Sequence, residues 1–181
     1  LFLGTNPIKS IKDTSLIEMD LVKLDIWHYN DDYLQPYQLR TAEQESKKAY
    51  LAMIDLPTKK FTQLADLQLP QVITSNEGDG NQFLGMSDKG KRVSMQWEGG
   101  TRKDIYSIDP ATGERKLVKK ELDGVAQISP LGTYIYWYDS KARQYFSYNA
   151  GIISSMTKQI SQKLYDEEYD MPSDPTPYGQ M

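Results

Sequence analysis

Tyr134-Ile135-Tyr136-Trp137-Tyr138 decides the fold class. In an extended chain successive side chains point to opposite faces, so Tyr134, Tyr136 and Tyr138 share one face while Ile135 and Trp137 share the other. Both faces are bulky and apolar, which predicts a strand covered on two sides. Other alternating runs surround it: Leu21 to Tyr29, Ala49 to Asp55, Arg92 to Trp97, Asp104 to Asp109 and Tyr145 to Tyr148. Each is rich in β-branched and aromatic residues, which pack well on a pleated surface. Turn chemistry separates them at Asp88-Lys89-Gly90, Pro110-Ala111-Thr112-Gly113 and Pro130-Leu131-Gly132, where Gly supplies positive φ and Pro presets φ. A single short helix is expected over Thr41 to Lys48, capped by Thr41. The class is all-β.

The strands repeat. Leu51-Ala52-Met53-Ile54-Asp55-Leu56-Pro57-Thr58 lies over Ile105-Tyr106-Ser107-Ile108-Asp109-Pro110-Ala111-Thr112, and Tyr145-Phe146-Ser147-Tyr148-Asn149 is a weaker third copy. Each is a strand, an Asp or Asn and a tight turn; in the first two a return strand follows, Phe61 to Leu64 and Arg115 to Val118. Gly85-Met86-Ser87-Asp88-Lys89-Gly90 likewise lies over Gln127-Ile128-Ser129-Pro130-Leu131-Gly132, two Ser-x-x-Gly turns expected to lead into strands holding Trp97 and Trp137. The copies recur about 40 to 54 residues apart, the period of four-stranded propeller blades. Residues 1–181 therefore read as a single partial β-propeller, about three four-stranded blades plus flanking strands. Ring closure takes roughly four to eight blades. The segment is open, and its sheet edges invite self-association with another chain.

Composition narrows the function classes. With 21 Lys+Arg against 25 Asp+Glu the formal charge is −4, which gives no field for a polyanion and argues against nucleic acid. No apolar run is long enough for a membrane span. Cys is absent, which removes disulfides, thiolate metal sites and cysteine nucleophiles. The start, Leu1-Phe2-Leu3-Gly4, lacks Met and the features of a signal peptide, and reads as a chain cut from something longer.

Leu24-Asp25-Ile26-Trp27-His28-Tyr29-Asn30-Asp31-Asp32-Tyr33-Leu34-Gln35-Pro36-Tyr37-Gln38 resembles the V-D-V-W-x-(Y/W)-x-D-x-x-L-Q-x-x-Q stretch of the prolyl oligopeptidase family of serine peptidases, particularly those of Bacteroidetes. The Ser-x-x-Gly turns at Ser87 and Ser129 are similar to the S-P-D-G-K repeats of the N-terminal propeller of that family, and Tyr165 to Pro172 with Pro175 to Gly179 resembles a loop pattern of the same propellers. The resemblance implies a parent in which the propeller caps a separate α/β-hydrolase domain and filters oligopeptides reaching its Ser/Asp/His triad. It also implies an exported, periplasmic or cell-surface parent. The hydrolase needs a G-x-S-x-G nucleophile elbow. No such pentad occurs here, and the sole His is His28, so this chain is expected to be non-catalytic, with no cofactor.

Candidate sites are few. His28 is read as a strand-end histidine rather than a base or ligand, since one imidazole without Cys forms no ligand cluster. Asp166-Glu167-Glu168-Tyr169-Asp170 could attract Ca²⁺, or hold a peptide amine as paired glutamates do in related dipeptidyl peptidases. The motif context differs and the D-x-[DN]-x-[DN]-G loop is missing, so a solvated loop is expected. Asn76-Glu77-Gly78-Asp79-Gly80-Asn81 reads as a hairpin or blade-connecting loop, Lys119-Lys120-Glu121 as a solvated turn, and Pro172 to Pro177 as an extended connector. The aromatics at Tyr134 to Tyr138, with Trp97 and Trp27, read as inter-blade packing rather than a glycan or peptide platform. Two alternatives stay open: a stand-alone propeller that binds protein or glycan through its loops, and a complete enzyme with carboxylates converging between blades.

Overall fold

The structure, a computed structural model, describes residues 1–8, 15, 17, 24–151 and 157–163. Three antiparallel sheets follow one another along the chain. The first contains β1 (Phe2–Thr5), β2 (Tyr50–Asp55) and β3 (Lys60–Gln63), in that order. The second is a four-stranded meander of β4 (Gln71–Ile73), β5 (Phe83–Ser87), β6 (Lys103–Ile108) and β7 (Arg115–Leu122). The third repeats that order with β8 (Ala126–Ile128), β9 (Tyr134–Asp139), β10 (Gln144–Asn149) and β11 (Thr157–Gln159). Helix α1 (Gln35–Lys47) lies between β1 and β2, and the short α2 (Met95–Glu98) between β5 and β6. The all-β class is correct. Among the described residues each sheet keeps two edge strands, so none closes on itself.

The repeated Asp has a physical role. A carboxylate one residue past a strand can accept the amides of the turn and begin the reversal without a partner strand. Asp55 accepts the Thr58 hydroxyl and, at 3.4 Å, its amide. Asp109 Oδ1 accepts the Ala111 amide at 2.8 Å, and Asn149 Oδ1 accepts the Gly151 amide at 3.0 Å. Asp55 and Asn149 end β2 and β10, and Asp109 directly follows β6; each of these is the next-to-last strand of its sheet in chain order, so the copies seen in the sequence are structurally equivalent. Where the second hairpin has Gly113 at φ 77°, the first has Lys59 at φ 55°. That left-handed conformation suits Gly and crowds the Cβ of Lys.

The core forms two apolar layers, one on either side of the middle sheet. Leu64, Leu69, Phe83 and Ile108 form one, with Leu51, Met53, Val72 and Tyr106 packed against them. Leu84, Ile105, Leu122, Ala126, Ile135, Trp137 and Tyr148 form the other. Neighbours in sequence, Phe83 and Leu84 are both 0% exposed and enter opposite layers. Gly85 lies on the Phe83 face, where an added Cβ would sit 2.8 Å from both Ile108 Cδ1 and Leu69 Cδ2. The strand covered on two sides is thus β5. In β9 the Ile135 and Trp137 face is buried, whereas the tyrosine face opens along its length, from buried Tyr138 to Tyr134 at 47% exposure.

Several expectations are corrected. Arg92 to Trp97 is not a strand: Arg92–Ser94 makes a 3-10 turn that runs into α2, ending at Gly99 with φ 72°. The Asp32 carboxylate takes the Gly90 and Arg92 amides, which coils the chain before an extended run can form. The two Ser-x-x-Gly segments are also out of phase, because Gly85 to Gly90 leaves the second strand of its sheet and Gln127 to Gly132 leaves the first. Of the run Leu21 to Tyr29, residues 21–23 lie outside the described part, and 24–28 form no strand. A turn follows, with the Asp31 amide donating to the His28 carbonyl at 3.1 Å. The helix expected at Thr41 begins at Gln35, with Leu34 as N-cap and Pro36 in its first turn. Pro suits that position, because its fixed φ is helical and its missing N–H has no partner there anyway. Thr41 is interior, donating its hydroxyl to the Tyr37 carbonyl at 2.8 Å.

Candidate functional site

The segment that carries the family resemblance docks on the turn after β5. Asp32 accepts the Gly90 amide at 2.9 Å and the Arg92 amide at 3.1 Å. The Arg92 guanidinium returns to it, 3.4 Å from Asp32 Oδ2, and its Nε donates to Asp88 Oδ1 at 2.8 Å. The same guanidinium lies over the Tyr33 ring, 4.7 Å from the centroid. Tyr33 stacks on Tyr37 at 4.6 Å, and Arg40 sits 5.5 Å from the Tyr37 ring. Tyr33, just before α1, and Tyr37 and Arg40 within it complete with Arg92 a ladder of cation, two rings and cation, the rings attracting the guanidinium planes electrostatically.

The electrostatics are those of a clamp. Burial works against the Arg92 charge, but the Asp88 hydrogen bond and charge, with Tyr33 and Asp32, outweigh it and hold the guanidinium above its ordinary range. Burial raises the Tyr33 phenol against the opposing pull of Arg92. Beside the clamp lies an open cleft of about 600 Å³. Leu24, Ile26, Leu39 and Ala42 give it apolar walls, and Asp25, Asp31 and Glu45 give it acidic ones. Arg92 is committed to two carboxylates and a ring, so it braces residues 31–40 against the second sheet.

The residues singled out in the sequence are scattered. His28 is exposed in a loop, its Nδ1 accepting the Asn30 amide at 3.2 Å and its ring stacking on Tyr29 at 4.9 Å. Among the described residues no group of three or more His, Asp or Glu could hold a metal ion. Residues 166–170 and 172–177 lie outside the described part. The loop at Asn76 to Asn81 joins β4 to β5 within one sheet and contains a 3-10 turn, Asn76–Gly78, with Ser75 Oγ donating to the Gln82 carbonyl at 2.7 Å across its base. Lys119 to Glu121 is not a turn but part of β7, where Lys119 reaches Asp139 at 2.8 Å and Glu121 takes a φ of 52° at an irregularity in the register. Of the three Trp, Trp137 is 1% exposed, while Trp27 and Trp97 are 67% and 70% exposed and do not pack between sheets.

Sequence reasoning missed Arg92, Asp32 and the two tyrosines. A local signal exists for part of it, since Tyr37 and Arg40 follow the three-residue spacing of one helix face. Nothing local links them to Arg92, which is 59 residues beyond Tyr33. Among the described residues no helix is long and apolar enough to cross a membrane. Neither a scan against models of protein families nor a search of curated proteins finds a match to this chain.

Proposed function

We propose that this chain is a non-catalytic propeller segment of a prolyl-oligopeptidase-like serine peptidase. In that reading each sheet is a blade, the polypeptide beyond these residues completes the ring, and an α/β-hydrolase domain carries the triad. The segment narrows the path of oligopeptides to that domain and braces it. The parent acts in the periplasm or at the cell surface.

One observation carries the reading: β5 is buried on both faces, between the first and third sheets, and the third repeats its strand order. A small twisted sheet cannot hide two apolar faces alone, and radial stacking of similar sheets is the economical way to cover both. The resemblance of Leu24 to Gln38 supplies the family. The absence of a G-x-S-x-G pentad and the position of His28 in an exposed loop supply the non-catalytic role. Exposed Trp27 and Trp97 favour a second reading, a stand-alone module that binds protein or glycan through aromatic loops.

The test is to treat the longest natural polypeptide containing these residues with a fluorophosphonate probe and map the labelled peptide. A label on a Ser within a G-x-S-x-G pentad outside residues 1–181 supports the peptidase reading. No label, or a label within these residues, overturns it.

A further inference from the structure

Two Asp-Gly pairs occur in the chain, Asp79-Gly80 and Asp123-Gly124, and no Asn-Gly pair. An aspartyl carboxyl followed by glycine can close on the next amide, because glycine has no side chain to screen its nitrogen. The Gly nitrogen attacks Asp Cγ in the protonated carboxyl. Its N–H proton and the carboxyl hydroxyl leave together as water, and a cyclic imide forms. Water then reopens the ring. Cleavage at Cγ restores aspartate, whereas cleavage at the α-carbonyl leaves the main chain running through Cβ and Cγ, with the α-carboxylate as the new side chain. The net change is an isomerisation that needs no co-reactant but water.

The fold treats the two pairs differently. Both aspartates are exposed, and among the described residues neither carboxylate has a hydrogen bond or an ion pair. The glycines are what distinguish them. Gly80 is buried and its amide donates to the Ser75 carbonyl at 3.2 Å. A Cβ added to Gly80 would sit 1.9 Å from Ser75 Oγ, and that hydroxyl is itself held by the Gln82 carbonyl. Ring closure at Asp79 therefore gives up a hydrogen bond and presses a packed segment against Ser75. Gly124 is exposed, and among the described residues its amide has no acceptor. A Cβ on Gly124 would meet the Tyr138 carbonyl oxygen at 2.2 Å, so packing on β9 keeps a glycine after Asp123.

We infer that Asp123-Gly124 is a self-modification site, at which the folded chain isomerises its own backbone and loosens the joint between sheets two and three. Strand β7 ends at Leu122 and β8 begins at Ala126, so this pair makes up most of the connection. The Asp123 carbonyl accepts the Ser140 amide at 3.1 Å, and the Val125 carbonyl accepts the Tyr138 amide at 3.4 Å. In the isoaspartyl product the Asp123 carbonyl leaves the main chain and the path from Leu122 to Val125 gains a carbon. Both bonds to β9 and its turn must then shift. The inference rests on this mid-chain joint and stands or falls independently of the peptidase reading.

The test ages the whole folded chain at neutral pH and body temperature, digests it, and maps it by electron-transfer fragmentation, which distinguishes isoaspartyl from aspartyl residues. Isoaspartate should accumulate at Asp123 about tenfold faster than at Asp79 or more, since only the second site must give up a hydrogen bond and a packed position. A sample aged in concentrated urea keeps both sequences and removes the fold, and there the two rates should become similar. The isomerised fraction, separated chromatographically, should exchange the Tyr138 and Ser140 amides faster than unaged protein. No residue is substituted, so folding does not confound the comparison. The inference is overturned if Asp123 stays unmodified in the folded chain, if Asp79 reacts as fast, or if urea leaves the ratio unchanged. Unchanged exchange at Tyr138 and Ser140 in the isomerised fraction overturns the loosening of the joint.

Discussion

Truncating Phe83 and Leu84 separately asks whether β5 is covered on both faces. The two side chains are adjacent, fully buried and in different apolar layers. Leu84→Ala removes three carbon atoms, about 2–2.5 kcal/mol of transfer free energy at roughly 0.8 kcal/mol per carbon. The cavity left in a packed layer raises this toward 3–4 kcal/mol, and Phe83→Ala should cost about 3–5 kcal/mol. A strand with one solvated face would give a large loss on one side and about 0.5 kcal/mol or less on the other. Urea titration reads the difference through Trp137, the buried indole, while exposed Trp27 and Trp97 contribute a nearly constant background. With a urea slope of about 1–3 kcal/mol per molar, each variant should move its midpoint down by about 1 M or more. Leu131→Ala, at a side chain 68% exposed, is the control and should move it little. The layered reading is refuted if either core variant loses less than about 1 kcal/mol while the other loses several.

Further outcomes follow from the turns and the ion pairs. Lys59→Gly relieves the left-handed backbone at φ 55° and should stabilise the chain by about 0.5–1 kcal/mol, the strain relief outweighing the added freedom of the unfolded Gly; a lower thermal midpoint would contradict this. Arg92→Ala leaves the partly buried Asp32 and Asp88 without their cation, so stability should fall by about 1–3 kcal/mol and limited proteolysis should accelerate between residues 24 and 47; Arg92→Lys should restore only part, because a point charge cannot reproduce the fork and the ring stacking. Burial works against the Asp139 carboxylate, but the Lys119 hydrogen bond and charge and the amides of Lys141 and Ala142 outweigh it and hold its pKa below the usual carboxylate value. Its contribution is therefore fully present above the unfolded pKa of about 4 and is lost as pH falls through the lower folded value. Asp139→Asn should flatten the acid limb of a stability–pH curve measured between pH 6 and about pH 2, and an unchanged limb would show that the pair does not govern it.

Much of the fold was legible because its signals are local. The period-two apolar pattern at Tyr134 to Tyr138 and Asp104 to Asp109, and the Asp-plus-turn chemistry after β2 and β6, depend on residues within one hairpin. Strand failures came where a distant group won. Val93, Met95 and Trp97 alternate as a strand should, yet a carboxylate from Asp32 captures the amides at Gly90 and Arg92 and turns the chain. Trp27 sits in an apolar run, but among the described residues it meets no sheet edge, and so it stays exposed. The clamp at Arg92 was invisible for the same reason, since its parts come from segments about 60 residues apart and no short motif joins them.

The residues alone determined the all-β class, the hairpins and their equivalence, because strand pattern and turn geometry are decided over a few neighbouring side chains. They also exclude a nucleophile elbow and any cysteine chemistry outright. Tertiary structure alone decided which strand is buried on both faces and which tryptophan lies in the core. Those outcomes depend on what packs across from each face or edge, and contacts between sheets are made by residues too far apart in sequence to leave a periodic trace.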